Sequence, residues 1–147
     1  MSLCLATPAV ALTLALQGFT LSWTHSVERT EWREHWRVEG PELVLVEARV
    51  RGSGAGMEPP EGSVLRDGWW VYRPHLRVPA LHLAVSGATG GGWQLCTEAG
   101  CRDLEQLLNR DGRAPTSIDL RPASPRARPC VARGQDGTGP RTSGRAG

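Results

Sequence analysis

Lysine is absent from this chain: all 17 basic residues are arginine. GC-rich codon bias is the first explanation, and a need for planar guanidinium chemistry the second. Aromatic residues are also scarce, yet six of the eight are tryptophan: Trp23, Trp32, Trp36, Trp69, Trp70 and Trp93. No apolar run is long enough to span a bilayer as a helix, since residues 3–16 fall short of the roughly 20 residues required. The same stretch makes a poor secretory leader. It has no positive n-region, Pro8 interrupts it, and no small-residue cleavage site follows. A Gly-x-Ser-x-Gly elbow is missing, and His35, His75 and His82 show no metal-ligand spacing. Gly52-Ser53-Gly54-Ala55-Gly56 lacks the Lys-Ser/Thr of a nucleotide loop, and Glu58-Pro59-Pro60 will not open the helix such a loop needs. Phosphate binding is thereby excluded, leaving these glycines a backbone-turn role.

What is present is alternation. Phe19, Leu21, Trp23 and Val27 share one face of a strand, which puts His25 among them on the core side. A ring buried there without a partner costs about 1–3 kcal/mol, so His25 needs a partner or a purpose. Val10, Leu12, Leu14 and Leu16 alternate as well. A two-residue loop at Gln17-Gly18 would set Leu16 against Phe19, Leu14 against Leu21 and Leu12 against Trp23. This register favours a strand over a leader peptide for residues 3–16. Further on, a three-residue loop at Gly40-Pro41-Glu42 would pair Val38 with Val44, Trp36 with Val46 and Trp32 with Val50. The apolar parity changes between residues 28 and 31, which calls for a bulge or turn at Glu28-Arg29-Thr30. Asp67-Gly68 is a type I′ signal between Ser63–Arg66 and Trp69–Arg73. Leu81–Ser86 and Trp93–Cys96 read as strands across the Gly-rich loop, Thr116–Leu120 as a final strand, and Asp103–Asn109 as the single helix.

These elements predict an all-β chain: one antiparallel β-sandwich or partly open barrel of hairpins over residues 1–121, with at most one short helix. Residues 122–147 hold few apolar side chains and read as a disordered, Pro/Gly/Arg-rich tail. The net charge of +2 divides as +4 in that tail and −2 in residues 1–121, so a nucleic-acid surface is not expected on the domain. Cys96 and Cys101 flank a tight turn and suit a disulfide in an oxidising compartment. Cys4 and Cys130 have no evident partner, and free thiols are the expectation for a cytosolic chain.

Candidate chemistry centres on His25. Ser26 leaves the strand on the opposite face and cannot be its nucleophile. Glu28, or Glu34 on the next strand, would complete an acid–base or metal site, against the alternative of a core histidine held by a neighbouring carboxylate or carbonyl. The adjacent Trp69 and Trp70 point to opposite faces, so one of them is available to stack on a sugar ring.

The run His25-Ser26-Val27-Glu28-Arg29-Thr30, then Glu34, Gly40, Leu43-Val44-Leu45-Val46-Glu47, Gly54-Ala55-Gly56-Met57 and Asp67-Gly68-Trp69, resembles the bacterial domain-of-unknown-function family eighteen-fifty over roughly residues 3–121. The positions matching its signature are His25, Ser26, Glu28, Gly54, Ala55 and Gly56. The family has no established catalytic role, and its members are often encoded beside TAXI-type TRAP transporters, which import organic solutes on ion gradients. The resemblance implies a non-enzymatic accessory or binding domain outside the cytoplasmic membrane, without cofactor or metal. Its partner would be a membrane or solute-binding subunit of the transporter. Family members usually carry an N-terminal hydrophobic segment, whereas here the first strand begins almost at Met1. That leaves a start further upstream or a cytoplasmic copy as alternatives. A small-molecule or carbohydrate module built on Trp is the second expectation, and a hydrolase using His25 with Glu28 or Glu34 the third.

Overall fold

A computed structural model describes residues 1–25, 30–52, 61–85, 92–110, 112, 115–124 and 128–135. In chain order its strands are β1 (Ser2–Ala6), β2 (Ala11–Ala15), β3 (Gly18–His25), β4 (Thr30–Glu39), β5 (Glu42–Gly52) and β6 (Val64–Arg66). There follow β7 (Trp69–Tyr72), β8 (Leu76–Val78), β9 (Leu81–Ala84), β10 (Gln94–Thr97), β11 (Gly100–Asp103), the helix α1 (Leu104–Leu108) and β12 (Ser117–Pro122). They form two antiparallel sheets, neither closed into a barrel. The smaller runs β2-β1-β12-β9, and the larger β11-β10-β3-β4-β5-β7-β6 with β8 also on β5. Leu3, Leu5, Leu83, Ile118 and Leu120 from the first meet Phe19, Leu21, Trp36, Val38, Leu43, Leu45 and Leu95 from the second in one core. The α1 leucines, Leu104, Leu107 and Leu108, join it. Asp103 caps that helix, its carboxylate accepting from the backbone N–H of Glu105 and Gln106 at 2.9 and 3.1 Å.

Residues 3–16 form two strands rather than one. The turn between β1 and β2 closes where Thr7 N–H donates to Val10 C=O at 2.8 Å, and the Thr7 hydroxyl accepts from the Val10 N–H at 2.9 Å. The expected hairpin at Gln17-Gly18 does not form. β2 pairs with β1, placing Leu12 and Leu14 opposite Leu5 and Leu3, while β3 starts the other sheet. Leu12, Leu14 and Leu16 still pack against the core that holds Phe19 and Leu21, from the facing sheet instead of the neighbouring strand. Alternation dictates which way a side chain points; it does not dictate whether the partner lies beside it or across the core.

The β4–β5 hairpin departs from the expected register by one residue near its turn. Glu39 opposes Glu42, so the loop is the two residues Gly40-Pro41, with Val38 opposite Leu43 and Trp36 opposite Leu45. A bulge then admits Val46, after which His35 opposes Glu47 and Trp32 opposes Val50, as expected. The bulge moves the inward face of β5 from Leu43 and Leu45 to Ala48 and Val50, all four buried. The Asp67-Gly68 turn matches its reading: both residues have positive φ, 51° and 86°. Leu81–Ser86 and Trp93–Cys96 correspond to β9 and β10, which lie in different sheets and do not pair with each other.

Packing continues beyond residue 121. Cys4, buried on β1, forms a disulfide with Cys130, and Ala132 is buried beside the same sheet. Arg133 and Gly134 donate their backbone N–H groups to Thr7 and Pro8 carbonyls at 2.9 and 3.0 Å. A Cβ on Gly134 would stand 2.7 Å from the Pro8 carbonyl oxygen, so only glycine permits that approach. Arg121 donates to the carbonyls of Arg128 and Pro129 at 3.3 and 2.8 Å. Cys4 and Cys130, expected as free thiols in a cytosolic chain, are thus bonded to each other instead. Composition measures apolar burial, whereas this segment is held by a covalent bond, backbone hydrogen bonds and guanidinium groups. Residues 136–147 lie outside the described residues.

Candidate functional site

Two central strands of the larger sheet are much longer than any strand of the sheet that covers it. β4 and β5 have 10 and 11 residues, while β1, β2, β9 and β12 have 4 to 6. Directly opposed residues share a face, so register gives the layout of the inner surface. One row runs Leu95, Leu21, Glu34, Ala48, Tyr72. The next runs Trp23, Trp32, Val50, Trp70, Leu65. Beyond it lie His25, Thr30 and Gly52. Trp36 and Val38 belong to the main core, whereas Trp32, Ala48 and Val50 do not. Glu34 stands at that border.

This arrangement brings three strand ends together. His25 closes β3, Thr30 opens β4 opposite it, and Gly52 closes β5 beside Thr30. Ser26, Glu28, Gly54, Ala55 and Gly56 lie outside the described residues, as do Glu28 and Arg29 of the expected bulge or turn at Glu28-Arg29-Thr30, while Thr30 opens β4. The backbone positions of His25 and Glu34 are not brought together. Glu34 opposes Leu21, four residues along β3 from His25, or about 13 Å at strand spacing.

Aromatic rings gather next to these strand ends. Trp23 stacks on Trp32 with centroids 6.0 Å apart and planes within 6°, and Trp93 tilts against Trp23 at 4.7 Å. The Trp93 indole N–H donates to the Ala84 carbonyl at 3.0 Å, fixing that ring between the sheets. Trp23, Trp32, Trp70 and Tyr72 are half-buried, and Trp36 is fully enclosed. Glu34 is half-buried too, and its Oε1 accepts the Trp36 indole N–H at 3.0 Å. Burial pushes the Glu34 carboxyl above the usual carboxylate range, with the Trp36 hydrogen bond pulling the other way. Burial, then the charge of Glu34, raise the Tyr72 phenol, so Tyr72 is neutral at physiological pH.

The outer face of the same sheet has the opposite character. Glu31 pairs with Arg33 and Arg51, Glu39 with Arg37 and Arg77, and Glu47 with Arg49 and Arg73. Trp69 lies here, buried beneath the guanidinium groups of Arg33 and Arg51 at 5.0 and 4.4 Å from its ring. Trp69 and Trp70 therefore do take opposite faces, but neither stands fully exposed. His35 is exposed on the solvated face expected for it, 3.3 Å from the Thr20 hydroxyl.

Cys96 and Cys101 are directly opposed in the β10–β11 hairpin and are joined by a disulfide. A cleft of about 590 Å³ opens beside them, between β2 and that hairpin, lined by Leu14, Leu16, Leu95 and Arg102. Sequence reasoning passed over one pair: His82 Nδ1 lies 2.9 Å from Asp119 Oδ1, which also receives Arg133 at 3.0 Å. Only the strand pairing of β9 with β12 reveals it. Among the described residues no group of three or more His, Cys, Asp or Glu is placed to hold a metal ion.

Comparison with known proteins finds no match among curated proteins and none among solved structures. A family match does exist, to the domain of unknown function DUF1850 over residues 19–104. That span runs from the second residue of the Trp-bearing strand β3 to the first residue of α1, and includes His25, Glu34, both disulfide cysteines of the β10–β11 hairpin and all six tryptophans. The chain belongs to the DUF1850 family.

Proposed function

We propose that this domain is a non-enzymatic binding protein, an accessory to a TRAP-type solute importer that contacts the importer's membrane or solute-binding component. One observation carries this reading: His25, Thr30 and Gly52 are neighbours in register, so the His-Ser-Val-Glu and Gly-Ala-Gly segments start from adjacent strand ends. Two segments far apart in sequence need a common surface to act as one contact, and neighbouring strand ends support that reading. Both disulfides favour an oxidising compartment, in keeping with a place outside the cytoplasmic membrane. The test is substitution of the signature. His25→Ala and Glu28→Ala should each reduce capture of the importer component by about tenfold, the scale of a contact residue, with little change in unfolding midpoint. If either variant simply unfolds the domain, both residues return to a packing role.

A second reading, a small-molecule or carbohydrate module, draws on the half-buried stack of Trp23, Trp32 and Trp93 beside the same strand ends. It predicts a change in Trp fluorescence on titration with a panel of sugars and organic acids. Silence across the panel counts against it.

A further inference from the structure

Among the carboxylates of β4 and β5, one stands apart. On the outer face of the larger sheet, Glu31, Glu39, Glu42 and Glu47 each pair with at least one Arg. Glu34, on the inner face, accepts one hydrogen bond from a neutral indole and has no Arg or His within ion-pair distance among the described residues. Its chain neighbours do not help. Strand alternation sends Arg33 and His35 to the other face, where Arg33 meets Glu31 and His35 meets Thr20. The remaining acceptor sites of this half-buried carboxylate thus meet no cation among the described residues.

Its surroundings fit a cation from elsewhere. Trp32 is two residues along β4 on the same face, with Trp23 stacked behind it. Tyr72 lies two strands away, about 10 Å at the usual strand spacing, with only the small Ala48 between them in the row. We infer that Glu34, Trp32 and Tyr72 form a binding site for a small organic cation of the ammonium or guanidinium class. Aromatic faces attract such ions through their quadrupole. The carboxylate adds a full opposite charge in a setting less polar than water, where it counts for more. The hydrogen bond from Trp36 holds that carboxylate in place before any ligand arrives, which lowers the ordering cost of binding. A neutral sugar would stack on the same rings yet leave the charge uncompensated.

This inference rests on the ligand-binding reading above and fails separately from it. The full chain is titrated with tetramethylammonium, choline and methylguanidinium at constant ionic strength, following Trp fluorescence and heat of binding. The same titrations are run on Glu34→Gln, which keeps an oxygen acceptor for Trp36, and on Glu39→Gln, an outer-face control. The expected result is saturable binding of at least one cation, weakened on the order of tenfold or more by Glu34→Gln and unchanged by Glu39→Gln. Equal affinity in the wild type and Glu34→Gln overturns the inference, and so does a failure of all three cations to saturate. Binding of sugars or organic acids without binding of cations overturns the inference and leaves the broader ligand reading standing. Silence from every probe removes both.

Discussion

Glu34 has a stability consequence that can be worked out from its surroundings. A carboxyl whose pKa is higher in the folded than in the unfolded state binds its proton more tightly when folded. Its favourable contribution is therefore complete below the unfolded pKa and is lost as pH rises through the folded value. Burial puts Glu34 in this class, and Tyr72, the titratable group that shares its face, stays neutral over that range. Ionised Glu34 thus works against folding at neutral pH. Glu34→Gln should raise the thermal unfolding midpoint at pH 7, with the gain shrinking as pH falls to 4. Glu39 has the opposite sign, since the hydrogen bond from Arg37 leads the causes that hold its carboxyl down. Its contribution is present above the unfolded pKa and lost on acidification, so Glu39→Gln should lower the midpoint at pH 7 and converge with the wild type in acid. Thermal melts across pH check both. From the sequence, Glu34 was visible as an even-numbered residue on an apolar face. That no described Arg or His pairs with it was not, because that depends on which strands flank β4 and where their arginines point.

At the scale of elements, the bulge at Val46 decides more than its size implies. Every inward side chain of β5 before it is odd-numbered and every one after it is even-numbered. Deleting Val46 would turn either Leu43 and Leu45 or Ala48 and Val50 away from the core. Loss of one buried leucine alone costs about 2–5 kcal/mol, so the deletion variant should fail to give a cooperative unfolding transition by circular dichroism. The sequence pattern had Val44, Val46, Ala48 and Val50 as one face, since four β-branched or small residues at even spacing mask a single inserted residue. Local chemistry was more legible. Asp67-Gly68 specified its turn, and the spacing of Cys96 and Cys101 suited the bond they form, because each involves residues within a few positions of one another. The segment 128–135 is the counter-example. Its disulfide joins residues 126 apart in sequence, and such a loop closure stabilises by up to about 5 kcal/mol in the chain-entropy account. Cys4→Ala with Cys130→Ala should lower stability by about 2–5 kcal/mol, measured by denaturant unfolding, and open residues 128–135 to hydrogen exchange. Unchanged exchange there would show that the hydrogen bonds to Thr7 and Pro8 suffice.

The molecule as a whole is a sandwich of unequal sheets. All-β character and the near-absence of helix followed from alternation and turn chemistry along the whole chain. The assignment of strands to sheets did not, because β2 and β3, like β9 and β10, are consecutive in sequence yet lie in different sheets. The inequality is what creates a candidate site. Strands β4 and β5 are longer than any strand of the smaller sheet, and their far ends carry Trp32, Glu34, Thr30 and Gly52 outside the main core cluster. The proposed importer association would use this end of the sheet as its contact surface. The most direct test is to pull the tagged protein from its native membranes and identify what comes with it by mass spectrometry. The account predicts recovery of a TRAP permease subunit or its solute-binding protein, reduced for the His25→Ala variant. A clean preparation containing neither, from membranes in which the importer is shown to be present, would contradict it.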